Sequence, residues 1–355
     1  MIQSVLSSAP SNIALIKYMG KTSSASNIPT NSSLSYTLEG LRTYVSLKHK
    51  ISLKQDTWQP LSLSEIDQKD LFQTTASLAP LNLNEKSVQK FLRHLNLLKK
   101  EFQIATCFEV KSANTFPSDA GLASSASSFA ALTKAFFQWL IEKHPEKIQH
   151  SDPIHLIQLM SSYSRLGSGS SCRSFYSPWS LWDSEGAQSF QSVYGELDHL
   201  ALVVSADKKE VSSSQAHELV LSSPKFEGRI LRAENRLKLL RELLNTEGKT
   251  AWAKAYHVCW DEFIDMHDLF HTSKPSFRYM TEASDQALHH VEKMWAAEND
   301  GPLVTMDAGP NIHLLFRPEQ GSMKSLYIKN LSAYGSVIES PSLSSKKTSG
   351  VEDFN

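Results

Sequence analysis

Small or polar residues interleave with apolar ones over residues 4–18, where Asn12-Ile13-Ala14-Leu15-Ile16 leads to Lys17. That pattern predicts a strand delivering a cation into a site, and Gly20 ends it. A second β-rich run covers 36–53, after a polar loop at 22–27. Residues 54–83 are polar and irregular. Val88, Phe91, Leu92, Leu95 and Leu98 recur at helical spacing and predict a helix over 85–102. A strand at 107–112 follows, then a helix through 129–143 that Pro145 stops, and another at 154–163. The aromatic run 175–182 reads as a strand with its turn.

In the second half, strands are expected at 188–193 and 200–205. Helices are expected at 229–244, 252–270 and 277–295, the last two separated by Lys274-Pro275-Ser276. Strands at 302–306 and 312–316 flank Asp307-Ala308-Gly309-Pro310-Asn311, placing an acid at a hairpin tip. A boundary near Glu185 gives domains at 1–185 and 186–338. The Ser/Lys-rich stretch 339–355 is poor in apolar residues and is expected to be disordered.

The chemistry concentrates at 113–134, where a Pro-containing turn and one Gly run into small residues and then an Ala/Leu/Phe-rich helix. The first turn of a helix leaves backbone N–H groups unpaired at the positive end of the macrodipole, which suits an anion. Gly121 admits a close ligand, Ala120, Ala123 and Ala126 stay out of its way, and Ser124 and Ser125 add hydroxyls. An ordinary capped helix with a small packing face produces the same composition. The spacing fits neither the P-loop nor the dinucleotide fingerprint. A second small-residue turn, Ser164-Arg165-Leu166-Gly167-Ser168-Gly169-Ser170-Ser171-Cys172-Arg173, has cationic flanks and is also suited to anions.

Composition narrows the class. A chain of 355 residues, 41% hydrophobic, can bury a large core. A net charge of −1 argues against nucleic acid or an anionic membrane as partner. Cys107, Cys172 and Cys259 are too scattered for a disulfide framework, and no basic segment precedes an apolar one at the N-terminus, so a cytoplasmic protein is expected.

Residues 117–126, Pro-Ser-Asp-Ala-Gly-Leu-Ala-Ser-Ser-Ala, resemble the phosphate loop of the GHMP kinase superfamily. Five stretches in order are similar to one of its families, the diphosphomevalonate decarboxylases: 12–21 (Asn-Ile-Ala-Leu-Ile-Lys-Tyr-Met-Gly-Lys), 29–34, 114–126, 167–173 and 305–311 (Thr-Met-Asp-Ala-Gly-Pro-Asn). The resemblance implies an α+β GHMP kinase fold, with an N-terminal domain like ribosomal protein S5 domain 2 and a ferredoxin-like C-terminal domain. It implies a homodimer that uses ATP and Mg²⁺ to phosphorylate the tertiary 3-hydroxyl of mevalonate 5-diphosphate. Loss of phosphate and CO₂ then gives isopentenyl diphosphate. By the same resemblance Asp307 orients and deprotonates the hydroxyl, Lys17 neutralises reacting charge, and Arg173 holds the substrate carboxylate. An Asp with a pKa of about 3.9 is a weak base, so positioning matters more than basicity. Asn12, Tyr18, Lys21, Ser168, Gly169 and Ser170 are carried over to substrate, and Gly121, Leu122, Ala123, Ser124 and Ser125 to ATP or its metal. No protein metal site is expected.

The departures cluster where the family holds the diphosphate end. Met19 stands where many members have Trp, Thr22-Ser23-Ser24 lacks the usual Arg-Asp-Glu character, and Ser214 stands beside serines where some members carry a phosphate-binding Arg. They leave open a monophosphate substrate, a mevalonate 3-kinase, or a non-catalytic sensor on the same fold; retention of Asp307 speaks against the sensor. A serine hydrolase lacks its nucleophile elbow, and His267 with His271, spaced i,i+4, lacks the rest of a zinc motif.

Overall fold

The computed structural model describes residues 4–23, 26–62, 65–66, 79–80, 83–116, 124–148, 152–205 and 209–340. The first half contains β1 (Ser4–Ile16), β2 (Lys21–Ser23), β3 (Ile28–Pro29), β4 (Ser33–His49), β5 (Thr57–Pro60), β6 (Ala79–Pro80), α1 (Glu85–Glu101), β7 (Phe108–Asn114), α2 (Ser124–Lys143), α3 (Pro153–Gly167), β8 (Trp179–Trp182) and β9 (Ala187–Ser189). Strand β4 is its spine, pairing antiparallel with β1, β7 and β8 in a seven-stranded sheet. The register of β1 on β4 shifts at Pro10/Ser11 and again at Ala14/Ile16, just before the chain leaves the sheet at Lys17. Such irregularities re-aim side chains at strand ends.

Helix α2 is apolar nearly all round and is buried accordingly, with Ala130, Ala131, Leu132, Ala135, Phe136 and Phe137 fully enclosed. Amphipathic α1 turns Phe91, Leu95 and Leu98 inward and is capped by Asn84, whose side chain accepts from Ser87 N at 2.9 Å.

The second half runs β10 (Asp198–Val203), α4 (Ser213–Leu219), α5 (Arg229–Leu244), α6 (Lys249–Thr272), α7 (Glu282–Glu298), β11 (Leu303–Met306), β12 (Ile312–Phe316), α8 (Gly321–Leu331) and β13 (Ser336–Ser340). Its antiparallel sheet has the order β11-β12-β10-β13, the arrangement of a ferredoxin-like domain. Ile13, Leu15 and Tyr36 of the first sheet share one apolar cluster with Leu200, Phe263 and Phe316 of the second half. The two halves are therefore packed through a common core, and β1 ends against it.

Several expected bounds move for local reasons. Helix α7 starts at Glu282 rather than at residue 277, because Thr281 and Ser284 form a capping box there. The strand expected at 188–193 is only Ala187–Ser189, and it continues the first sheet past Glu185 through its pairing with β8. Glu339 and Ser340, expected to begin a disordered tail, pair with Leu200 and His199 instead; the stretch 341–355 lies outside the described residues. Helices α4 and α8 and strand β13 had no clear apolar period to announce them. Among the described residues no helix is long and apolar enough to cross a membrane.

Candidate active site

Lys17 and Asp307 come from opposite halves of the chain and meet. Lys17 Nζ lies 2.6 Å from Asp307 Oδ1; the lysine is 3% exposed, while the carboxylate side chain is 31% exposed. Asp307 sits at the tip of the β11–β12 hairpin, tightened by Gly309 N–H donating to the Asp307 carbonyl at 2.7 Å. Burial pushes the Asp307 carboxyl up, but Lys17, His313 and Arg173 outweigh burial and hold it below the ordinary carboxylate value. Burial also draws the Lys17 ammonium down, with Asp307 opposing.

The Lys17 backbone is clamped on both sides. Its N–H donates to Glu262 Oε1 at 2.9 Å, and its carbonyl accepts from Asn31 Nδ2 and from Arg229, each at 3.0 Å. Arg229 and Glu262 are both fully buried and bonded to each other. Asp265 lies 3.0 Å from Arg229 and 2.9 Å from Arg232, and Arg236 lies 3.0 Å from Glu262 and 2.8 Å from Asp265. In this α5–α6 charge lattice each buried charge faces an opposite one, as burial of ions demands. His267, also on α6, donates from Nε2 to the Asp307 carbonyl at 3.1 Å.

Arg173 forms the second cation. It is 3% exposed and stands in the compact 3-10 turn Gly169–Phe175. Its Nε donates to Asn12 Oδ1 at 3.1 Å, one terminal nitrogen contacts Ser33 Oγ, and its plane lies 5.7 Å from the Tyr18 ring and 5.5 Å from that of Trp182. Asn12 Nδ2 in turn donates to the Ser170 carbonyl and to Ser174 Oγ, at 3.1 and 2.8 Å. The fork is thus pre-set for a planar anion. A methyl on Gly169 would stand 2.5 Å from Tyr18 Oη, so only glycine fits there. Ser125 Oγ, at the start of α2, donates to Ser168 Oγ at 2.9 Å and joins the two small-residue loops. Lys21 Nζ donates to Asn27 Oδ1 at 2.7 Å, and Asn27 donates onward to the carbonyls of Arg165 and Leu166.

Comparison with known proteins gives this geometry its context. The Diphosphomevalonate decarboxylase-like N-terminal domain matches residues 9–193, and the Mevalonate 5-diphosphate decarboxylase C-terminal domain matches 199–348. The chain belongs to the diphosphomevalonate decarboxylase family. It is 30% identical to the diphosphomevalonate decarboxylase of Saccharomyces cerevisiae over 93% of this chain and 81% of the yeast protein. Among solved structures, the mevalonate diphosphate decarboxylase of Legionella pneumophila is 42% identical, covers 94% of this chain and 100% of its own, and superposes with a TM-score of 0.82. A structure described as MDDEF in complex with MVAPP, AMPPCP and magnesium is 26% identical over 96% of this chain and 97% of its own, with a TM-score of 0.77. The α+β GHMP kinase fold expected from the motifs is the one found.

Of the residues expected in the site, Asn12, Lys17, Tyr18, Ser168, Gly169, Ser170, Arg173 and Asp307 are brought together here, with Ser125 bonded to Ser168. Ser124 opens α2. Gly121, Leu122 and Ala123 lie outside the described residues. His267 and His271 do not act as a pair: His267 is buried against Asp307, and His271 is exposed. Glu262, Arg229 and Lys209, whose Nζ donates to the Ala308 carbonyl, were not foreseen from the sequence, and His267 was weighed there only as a metal ligand. A signal for the lattice was present, since Arg229, Arg232 and Arg236 recur on one helical face and Glu262 and Asp265 on another.

Burial holds His94, His217 and His267 down to about 3 and His313 to about 4. Their stabilising effect is complete above the unfolded value near 6.5 and is lost as pH falls below it, because only the unfolded chain takes up the protons. The melting temperature is therefore expected to fall steadily from about pH 6.5 to about pH 5.5, above ordinary carboxylate titration. Thermal melts across that range check it, and a flat profile would contradict it.

Proposed function

We propose that this chain converts mevalonate 5-diphosphate and ATP to isopentenyl diphosphate, ADP, phosphate and CO₂, with Mg²⁺ as the metal. The observation that carries the reading is the Lys17–Asp307 pair, a 2.6 Å contact whose carboxylate side chain stays 31% exposed. A tertiary hydroxyl is a poor leaving group, so it must first be phosphorylated; the electrons released with CO₂ then form the double bond as phosphate departs.

Asp307, kept ionised by Lys17, accepts a hydrogen bond from the 3-hydroxyl and takes its proton as the phosphoryl bond forms. Lys17 then balances the charge that gathers on the transferring group. Arg173 fixes the carboxylate, so that the C–C bond to be broken aligns with the departing oxygen. Asn12 holds Arg173, and Tyr18, Lys21, Ser168, Gly169 and Ser170 surround the rest of the substrate. The first turn of α2 fits a nucleotide phosphate: Ser124 and Ser125 stand there and no acid opposes an anion. Gly121, Leu122 and Ala123 complete that loop in the sequence. ATP with Mg²⁺ supplies the phosphoryl group and spreads its charge. The ligands of the MDDEF structure support this pairing of substrate, nucleotide and metal.

The test offers purified protein ATP and Mg²⁺ with mevalonate, its 5-phosphate or its 5-diphosphate, and measures ADP and CO₂ separately. Equal ADP and CO₂ from the diphosphate is expected. The same result from the monophosphate alone would move the substrate, ADP without CO₂ would make the protein a kinase, and neither product from any substrate would overturn the reading. The reading also takes the working protein to be a cytoplasmic homodimer, for which sedimentation at working concentration is the check.

A further inference from the structure

Helix α4 contributes one ring to the cleft that no expected role accounts for. His217 is 8% exposed and lies flat on Tyr18, with ring centroids 4.7 Å apart and planes 27° apart. Its Nδ1 accepts the backbone N–H of Gly20 at 3.1 Å. A nitrogen that accepts carries no proton in the neutral ring, so the proton must be on Nε2. That Nε2–H has no hydrogen-bond partner among the described residues.

The position of the ring gives this donor its meaning. Tyr18 and Gly20 sit in the strand exit that runs from Lys17 to Lys21, and the Lys21 charge is close enough to oppose protonation of His217. The stretch Val211-Ser212-Ser213-Ser214-Gln215-Ala216-His217-Glu218-Leu219 contains no Lys or Arg. Burial keeps the ring neutral at any working pH. An uncharged donor therefore stands within the field of the Lys21 ammonium, which also feels the Glu218 carboxylate of the same helix.

We propose that His217 is a specificity-determining residue for the phosphorylated end of the substrate, presenting an uncharged Nε2–H donor beside Lys21 in the tautomer that Gly20 imposes. The proposal rests on the decarboxylase reading for its substrate, but its geometry belongs to this chain. A phosphate oxygen is the matching acceptor, because a hydrogen bond from a neutral N–H to an ionised oxygen is stronger than one to a neutral group.

Two variants separate the role from packing. His217→Asn keeps an acceptor at the Nδ1 position for Gly20 but does not reach as far as Nε2. His217→Gln reaches that far with an amide donor. The KM for the phosphorylated substrate is expected to rise about tenfold in His217→Asn, with the KM for ATP and kcat within about threefold, and to stay near wild type in His217→Gln. Equal behaviour of the two variants, or losses in kcat rather than KM, would overturn the proposal. An independent readout is the imidazole nitrogen NMR signal of His217 titrated with inorganic pyrophosphate. A neutral Nε2–H tautomer that shifts on addition is expected; a still signal, or the Nδ1–H tautomer, overturns the assignment. If the wild type turns over neither mevalonate ester, the decarboxylase reading fails, while the pyrophosphate titration still decides the role of His217.

Discussion

Asp307→Asn is expected to lower kcat by about 10³-fold or more while leaving the KM for ATP within about threefold. The amide matches the carboxylate in shape, so the hairpin tip and its Gly309 turn persist. It can neither take the hydroxyl proton nor balance the Lys17 ammonium 2.6 Å away. Burial already draws Lys17 down, and without its counter-charge the ammonium loses its main opposing influence. One substitution thus removes the proton acceptor and also weakens the cation that steadies the transferring phosphoryl group. ADP and CO₂ should fall together, because phosphorylation precedes decarboxylation. A variant that still forms both at wild-type rates would remove Asp307 from the chemistry.

Glu262→Ala is expected to be the most destabilising of the substitutions considered. It strips Arg229, fully buried, of its principal partner and leaves Arg236 with only Asp265. Removing one member of a buried ion pair costs about 3–5 kcal/mol, which for a chain of this size lowers the melting temperature by about 4–7 °C. Activity should fall as well, because Lys17 N–H loses its 2.9 Å acceptor and the catalytic ammonium is no longer held in register. Arg229→Met combined with Glu262→Leu separates these two effects. Replacing the pair with apolar side chains should recover most of the stability. Activity should stay low, since both the N–H and the carbonyl of Lys17 have then lost buried partners. Recovery of both would mean that the lattice serves stability alone.

Local sequence pattern was sufficient where one element's periodicity or one motif carries the information. The apolar repeat of α1 and the run of α5 stand where their spacing puts them, and α2 follows the small-residue turn. The acid of Asp307-Ala308-Gly309-Pro310 is at a hairpin tip because short apolar strands flank turn-forming residues. The resemblance of five motifs in order to one family implied the α+β fold and pointed to Lys17, Arg173 and Asp307, which residue pattern alone did not. Tertiary structure alone decided what lies 245 to 290 residues away from Lys17: the Glu262 carboxylate under its N–H and the Asp307 carboxylate beside its ammonium. It also decided that His217 lies on Tyr18 and accepts from Gly20, whereas its sequence neighbourhood is merely polar. Hydrophobic period specifies which face of an element is buried, but a buried ion or a ring nitrogen is specified only by the partner that satisfies it. Those partners arrive when the two halves close over their common core.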